Sequence, residues 1–263
     1  MYLILLLISI SLSFSTLAKE LSCSHPAVCQ LIKLQLDQPD IKVRPILKTD
    51  LQTNLHHFRL SSSDAKRVLS ATHLFVAPRE VNKEVYKLAR KRKSDVFYIT
   101  LKKNIKRSQR EHFWLTPLTL CEAAQQIKKS LVQLSLKTKE FKCSPLELEQ
   151  RFQFIAQRLH KEQLSLIFGH NALEVLCKKF AVPCYAIESH GHGENSSSSF
   201  KAIAKILKKN KAIYIEEPQI RIPNSLKNYF ENSQPVRFTW NPVEAKEQPA
   251  LFALLDSLEK ALP

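Results

Sequence analysis

Glycine is nearly missing from this chain, with three among 263 residues. A phosphate-binding P-loop, a dinucleotide-binding fingerprint and a nucleophile elbow all need clustered glycines, so the scarcity excludes them. Cysteine never occurs as Cys-x-x-Cys, which argues against a structural thiolate zinc site. Neither Gly-x-Ser-x-Gly nor His-Glu-x-x-His occurs, and acidic residues are sparse beside the histidines. These gaps point away from an enzyme and toward a binding protein. No aromatic-interleaved RNA motif accompanies the basic residues, so nucleic acid is not an expected partner. After residue 18 no run is long and apolar enough to cross a bilayer, which takes about 20 residues.

The chain opens with eighteen uncharged residues, MYLILLLISISLSFSTLA, followed by Lys19-Glu20. Small residues at Thr16 and Ala18 fit a cleaved secretory signal over 1–18, and an uncleaved anchor is the rival reading. Six cysteines fit an oxidising compartment, periplasmic or extracellular. Six allow fifteen pairings, and sequence does not choose among them. Cys23/Cys29 and Cys177/Cys184 are within local reach. Cys121 and Cys143 flank a predicted helix that holds them apart unless the chain folds back. The formal charge is +16. Basic residues are densest over Lys83–Arg110, which reads as a solvated face or as a surface for anionic partners.

Strand-like and helix-like runs alternate along the mature chain. Strands are expected at Leu21–Ser24, Ile41–Leu47, His73–Ala77 and Val96–Leu101, with helices at Pro26–Leu36, Ser61–Ser70 and Val81–Arg92. Two helices follow without a strand between them, Pro117–Leu136 and a second from Ser144-Pro145 to Lys161. The second opens with a capping-box pattern, Ser144 and Glu147. Alternation then resumes, with strands at Leu164–Phe168, Cys184–Ile187, Ala212–Ile215 and Val236–Trp240. The helices there are Asn171–Phe180, Ser196–Lys208, Pro223–Glu231 and Glu247–Leu262. Repeated β-α-β predicts an α/β fold with parallel-rich sheets and flanking helices. Two lobes follow, 19–140 and 164–263, joined by a linking helix over 141–163.

Three histidines each follow one of these strand-like runs: His56 after Ile41–Leu47, His112 after Val96–Leu101, and His170 after Leu164–Phe168. Ligands of α/β folds bind in the loops beyond the strands' carboxyl ends, and imidazole is the commonest metal-binding side chain. All three glycines adjoin histidine, in Gly169-His170 and in His190-Gly191-His192-Gly193. The second group is either an accessory metal loop or a surface turn.

Four segments carry a family resemblance. They are His56-His57-Phe58-Arg59-Leu60-Ser61-Ser62-Ser63-Asp64, His112-Phe113-Trp114-Leu115-Thr116-Pro117, Phe168-Gly169-His170-Asn171-Ala172 and Ile213-Tyr214-Ile215-Glu216-Glu217-Pro218-Gln219. In order and context they resemble motifs of the periplasmic zinc/manganese solute-binding proteins of ABC transporters. The resemblance implies a metal held between the lobes by His56, His112 and His170, and hand-off to a membrane permease.

The departures bear on the fourth ligand. Asn241 stands where the family carries an Asp. Glu244, Glu216, His190 and His192 are the other candidates for a fourth or accessory ligand. Thr116 and Asn171 replace acids that follow the second and third ligands in the family. Three imidazoles without a matching carboxylate favour zinc over the oxygen-seeking manganese. The expected protein is a monomeric, secreted zinc receptor serving an ABC importer. The alternative is a degenerate relative that uses its basic surface as a non-transport interaction protein of the envelope.

Overall fold

The alternating runs build two four-stranded sheets in which every strand pairing is parallel. The computed structural model describes residues 20–47, 60–93, 95–188, 197–218, 220–241 and 248–262. Residues 1–18, read from sequence as a secretory signal, lie outside the described residues, as do His56, His57, His190, His192 and Glu244.

The first sheet comprises β1 (Glu20–Cys23), β2 (Lys42–Pro45), β3 (His73–Val76) and β4 (Val96–Tyr98), in spatial order β2-β1-β3-β4. Helices α1 (Pro26–Gln35), α2 (Ser62–Ser70) and α3 (Lys83–Ala89) make its crossovers. The second sheet repeats the plan. Strands β5 (Ser165–His170), β6 (Cys184–Glu188), β7 (Ala212–Glu216) and β8 (Val236–Thr239) run in the order β6-β5-β7-β8. Its crossovers are α7 (Glu174–Lys179), α8 (Ser197–Leu207) and α9 (Asn224–Ser233). Parallel sheets are covered on both faces, so their central strands are apolar and buried, while the edge strands β2 and β8 carry charged, exposed residues. Ile167 and Tyr214 face one core cluster, while Leu166, Phe168, Ile213 and Ile215 face the other.

Between the sheets run α4 (Arg107–Glu111), a 3-10 turn (Phe113–Leu115), α5 (Pro117–Gln133) and α6 (Pro145–Lys161). Proline begins both long helices, where its missing N–H costs nothing. Ser144 Oγ accepts from Glu147 N at 3.3 Å and fixes the start of α6. The closing helix α10 (Ala250–Ala261) lies against α6 and against the 3-10 turn of the first lobe. Arg151 on α6 clamps it, donating to both carboxylate oxygens of Glu259 at 2.9 Å and to Asp256 at 2.6 Å. Gln30 of α1 donates to the Gln248 carbonyl at 2.6 Å. The largest buried cluster is shared by both lobes, with Leu115 and Leu120 alongside Leu251 and Leu254. Among the described residues no helix is long and apolar enough to cross a membrane.

Three disulfides form: Cys23–Cys29, Cys121–Cys143 and Cys177–Cys184. The second forms by the exception the sequence allows, a fold-back of the chain past the helix between its cysteines. Ser135 takes a left-handed φ of 56°, and Thr138 makes an antiparallel bridge to Leu36. The chain therefore doubles back along α5 and brings Cys143 beside Cys121, with 5.3 Å between their Cα atoms. The sequence reading also has no element between Leu101 and Pro117. The α4 helix there buries none of its residues, so it leaves no apolar periodicity to read. Strand β5 runs two residues further than expected, because His170 still pairs with Glu188 of β6.

Candidate metal centre

His112 and His170 come from different lobes, yet their ring centres are 6.0 Å apart. His112 ends α4 and begins the 3-10 turn, with φ −117° and ψ 45°. Its ring is buried, 4% exposed. Nδ1 lies 3.3 Å from the Ser108 carbonyl oxygen. A carbonyl only accepts, so Nδ1 carries the proton and the lone pair sits on Nε2. Trp114 packs against the same ring, 5.7 Å between centroids. The segment is pinned by Thr119 Oγ1, which donates to the Phe113 carbonyl at 2.7 Å.

His170 is the last residue of β5, at the carboxyl end of a central strand. Its Nδ1 meets Oε2 of Glu217, and its backbone N–H donates to Oε1 of the same carboxylate at 3.1 Å. A carboxylate also only accepts when ionised, so this ring too presents its lone pair at Nε2. Two imidazoles sharing a tetrahedral ion through nitrogens at about 2.0–2.1 Å have ring centres roughly 5 Å apart. The observed pair needs to close by only about 1 Å from that arrangement.

The remaining candidates fall as follows. Asn241 comes two residues after β8, and the Trp240 N–H donates to the Glu216 carbonyl at 2.9 Å, so Asn241 shares the carboxyl edge of the sheet with His170. Glu216 alternates with Tyr214 and takes its face of the sheet. Burial first, and then the Glu216 charge, push the Tyr214 hydroxyl up to about 12. His56, His190, His192 and Glu244 lie outside the described residues. Among the described residues, no three His, Cys, Asp or Glu side chains are grouped so as to hold a metal ion.

Glu217 is the residue that sequence reasoning missed. It lies within one of the four family-like segments, but the sequence reading puts forward its neighbour Glu216 as the candidate ligand. Strand parity distinguishes them: Ile213 and Ile215 face the shared core, and two residues on from Ile215 is Glu217. Asn171, in place of the family's acid, donates its amide to Glu174 rather than to His170.

Part of the basic stretch is committed internally. Arg92 donates to the carbonyls of Val68 at 2.6 Å and Ala71, stapling the end of α2. Arg110 pairs with Glu80 at 2.9 Å and donates to the Ile105 carbonyl at 2.6 Å.

The family profile described as "ZnuA: Zinc-uptake complex component A periplasmic" matches residues 28–260. No curated relative matches by sequence comparison alone. Among solved structures, the chain is similar to the laminin-binding protein Lmb of Streptococcus agalactiae, described as bifunctional with adhesin and metal-transporting activity. The two are 19% identical with a TM-score of 0.63, over 92% of this chain and 96% of that one. It is similar to the laminin-binding protein Lbp of Streptococcus pyogenes at 18% identity and TM-score 0.61, over 93% and 98%. It is also similar to the periplasmic zinc-binding protein TroA of Treponema pallidum at 10% identity and TM-score 0.63, over 92% and 98%. At these identities the likenesses speak to the fold, which is two-lobed in the way the sequence predicts.

Proposed function

We propose that this chain, which belongs to the ZnuA family of periplasmic metal-binding receptors of ABC transporters, captures zinc outside the cytoplasm and delivers it to an importer. The observation that carries this reading is the convergence of His112 and His170 from two lobes, each with an Nδ1 contact to an acceptor oxygen that sets the tautomer whose lone pair is on Nε2. His56 supplies the third imidazole, and Asn241 or one of the candidates Glu244, Glu216, His190 and His192 completes the shell. A neutral, nitrogen-rich set suits zinc better than manganese, which prefers oxygen.

The chain acts as a monomer in this reading, secreted by its 1–18 segment into the periplasm or extracellular space. Lobes over 19–140 and 164–263 close on the ion about the linking segment 141–163. An ABC permease is the recipient. No catalytic step is involved: the protein's task is to bind the ion tightly enough to collect it and release it on docking.

Calorimetric titration of the apo protein with Zn²⁺ tests this. One site of micromolar or tighter affinity is expected. His112→Ala and His170→Ala should each weaken it at least tenfold, as expected for loss of one ligand. Absence of one-site binding, or indifference to both substitutions, overturns the reading.

A further inference from the structure

We infer that Glu217 is the positioning residue that prepares His170 as a metal donor, and that Gly169 provides the clearance for it. The inference rests on the zinc-receptor reading above and deepens it.

Glu217 is the first residue after β7 and is only 1% exposed. A buried carboxylate is costly unless its oxygens are hydrogen-bonded. Here both oxygens turn to one residue, Oε1 to the His170 backbone N–H and Oε2 to Nδ1 of the ring. Two contacts fix the imidazole in position and in tautomer. A carboxylate behind a ligating histidine also raises the basicity of the opposite nitrogen.

The loop bearing Glu217 reaches β5 because residue 169 has no side chain. A Cβ there would stand 2.6 Å from Ile220 Cγ1, 2.9 Å from Ile220 Cβ and 3.0 Å from Glu217 Oε1. Ile220 cannot swing away freely, since its N–H donates to the Glu217 carbonyl at 2.9 Å and closes the turn. One of the three glycines in the chain is thus spent on this approach. The arrangement also accounts for two losses in the sequence. Asn171 does not orient His170, and Asn241 brings no charge to the ion. Glu217 supplies both the orientation and a negative charge one ring away from the metal.

Glu217→Gln keeps the size and an oxygen for the His170 N–H, but turns an amide N–H₂ toward Nδ1. The ring is then driven to the tautomer with its proton on Nε2, the wrong one for binding. Zinc affinity should fall about 10- to 100-fold, the usual cost of losing such a partner. Imidazole ¹⁵N shifts of the apo protein provide a readout that needs no metal. The wild type should show His170 protonated on Nδ1, and the Glu217→Gln variant should show it protonated on Nε2. A wild-type His170 protonated mainly on Nε2 overturns the inference without recourse to any variant. So does a Glu217→Gln protein with unchanged tautomer and affinity. Should wild-type protein bind no zinc, the receptor reading fails, while the tautomer shift still decides whether Glu217 positions the ring.

Discussion

In the first sheet, Cys23 pairs with Phe75, and two rows further along the strands stand His25 and Ala77. In the second, Phe168 pairs with Ile215, and two rows further stand His170 and Glu217. The equivalence is supported by the next strand out, where Ile99 N–H donates to Val76 and Trp240 N–H donates to Glu216, both at 2.9 Å. The two histidines therefore occupy one topological position in two copies of one plan. His25 Nδ1 accepts from Ala27 N at 3.1 Å, so its lone pair caps α1 and its proton sits on Nε2. The ring packs against Trp114, tilted by 35°, with 4.3 Å between centroids. His170 is the opposite tautomer, because Glu217 replaces Ala77. A single acid across the strand pair separates a histidine that caps a helix from the one proposed as a metal donor.

The comparison is most open to breakage at these two residues. His170→Ala should weaken zinc binding at least tenfold and, because its largely buried ring partners the buried Glu217 carboxylate, should also lower the stability of the apo protein. His25→Ala should lower stability and leave zinc affinity unchanged. Loss of an N-cap costs about 1 kcal/mol, and loss of a buried ring adds more, for about 2–4 kcal/mol in all. Thermal melts and zinc titrations on both variants check this. Equal loss of affinity in the two would show that the lobes share the work more evenly than their hydrogen bonds suggest.

The lobes also differ in cross-linking. Each carries a short local disulfide, joining β1 to α1 in the first lobe and α7 to β6 in the second, but Cys121–Cys143 spans 22 residues and belongs to the connection between them. Closing a longer loop restricts the unfolded chain more, by about 3 kcal/mol for fifteen residues and somewhat more here. Cys121→Ser with Cys143→Ser should therefore lower the denaturation midpoint further than the paired replacement of Cys177 and Cys184. Denaturant titration of both double variants sharpens the contrast.

Much of this plan was legible beforehand for a physical reason. Buried parallel strands and amphipathic helices write periods into sequence, so among the described residues all eight strands and nine of the ten α-helices fall within a few residues of the expected ranges. The α4 helix was not, because it buries nothing. The positions of His112 and His170 beyond strand-like runs were legible because those runs are apolar. Glu217 was not, because an acid beside another acid gives no hint of which one turns inward. The Cys121–Cys143 pairing was hidden by a reversal at Ser135, a residue with no obvious preference for left-handed backbone.

The smallest expected difference between the lobes is in acid sensitivity. In the first, Asp64 closes a capping box with Ser61 and is almost fully buried. Burial pushes its carboxyl up, but bonds from the Ser61 hydroxyl and N–H, with the Arg67 guanidinium, outweigh that and hold it below the usual 3.8. In the second lobe, Asp256 is likewise opposed by burial and then held low by Gln248 and Arg151. A carboxyl lowered in the folded state adds stability above its unfolded value, and that contribution is lost as pH falls through the folded value. Both groups should thus destabilise the protein only below about pH 4, by the same linkage. Asp256 is 38% exposed, so water screens its partner, whereas Asp64 is 7% exposed. Asp64→Asn should flatten the acid limb of the stability profile visibly and cost about 1 kcal/mol at neutral pH as the cap weakens. Asp256→Asn should change both less. Urea midpoints from pH 2.5 to 7 measure the two together, and an Asp256→Asn effect equal to or larger than that of Asp64→Asn would place the acid-sensitive element in the second lobe instead.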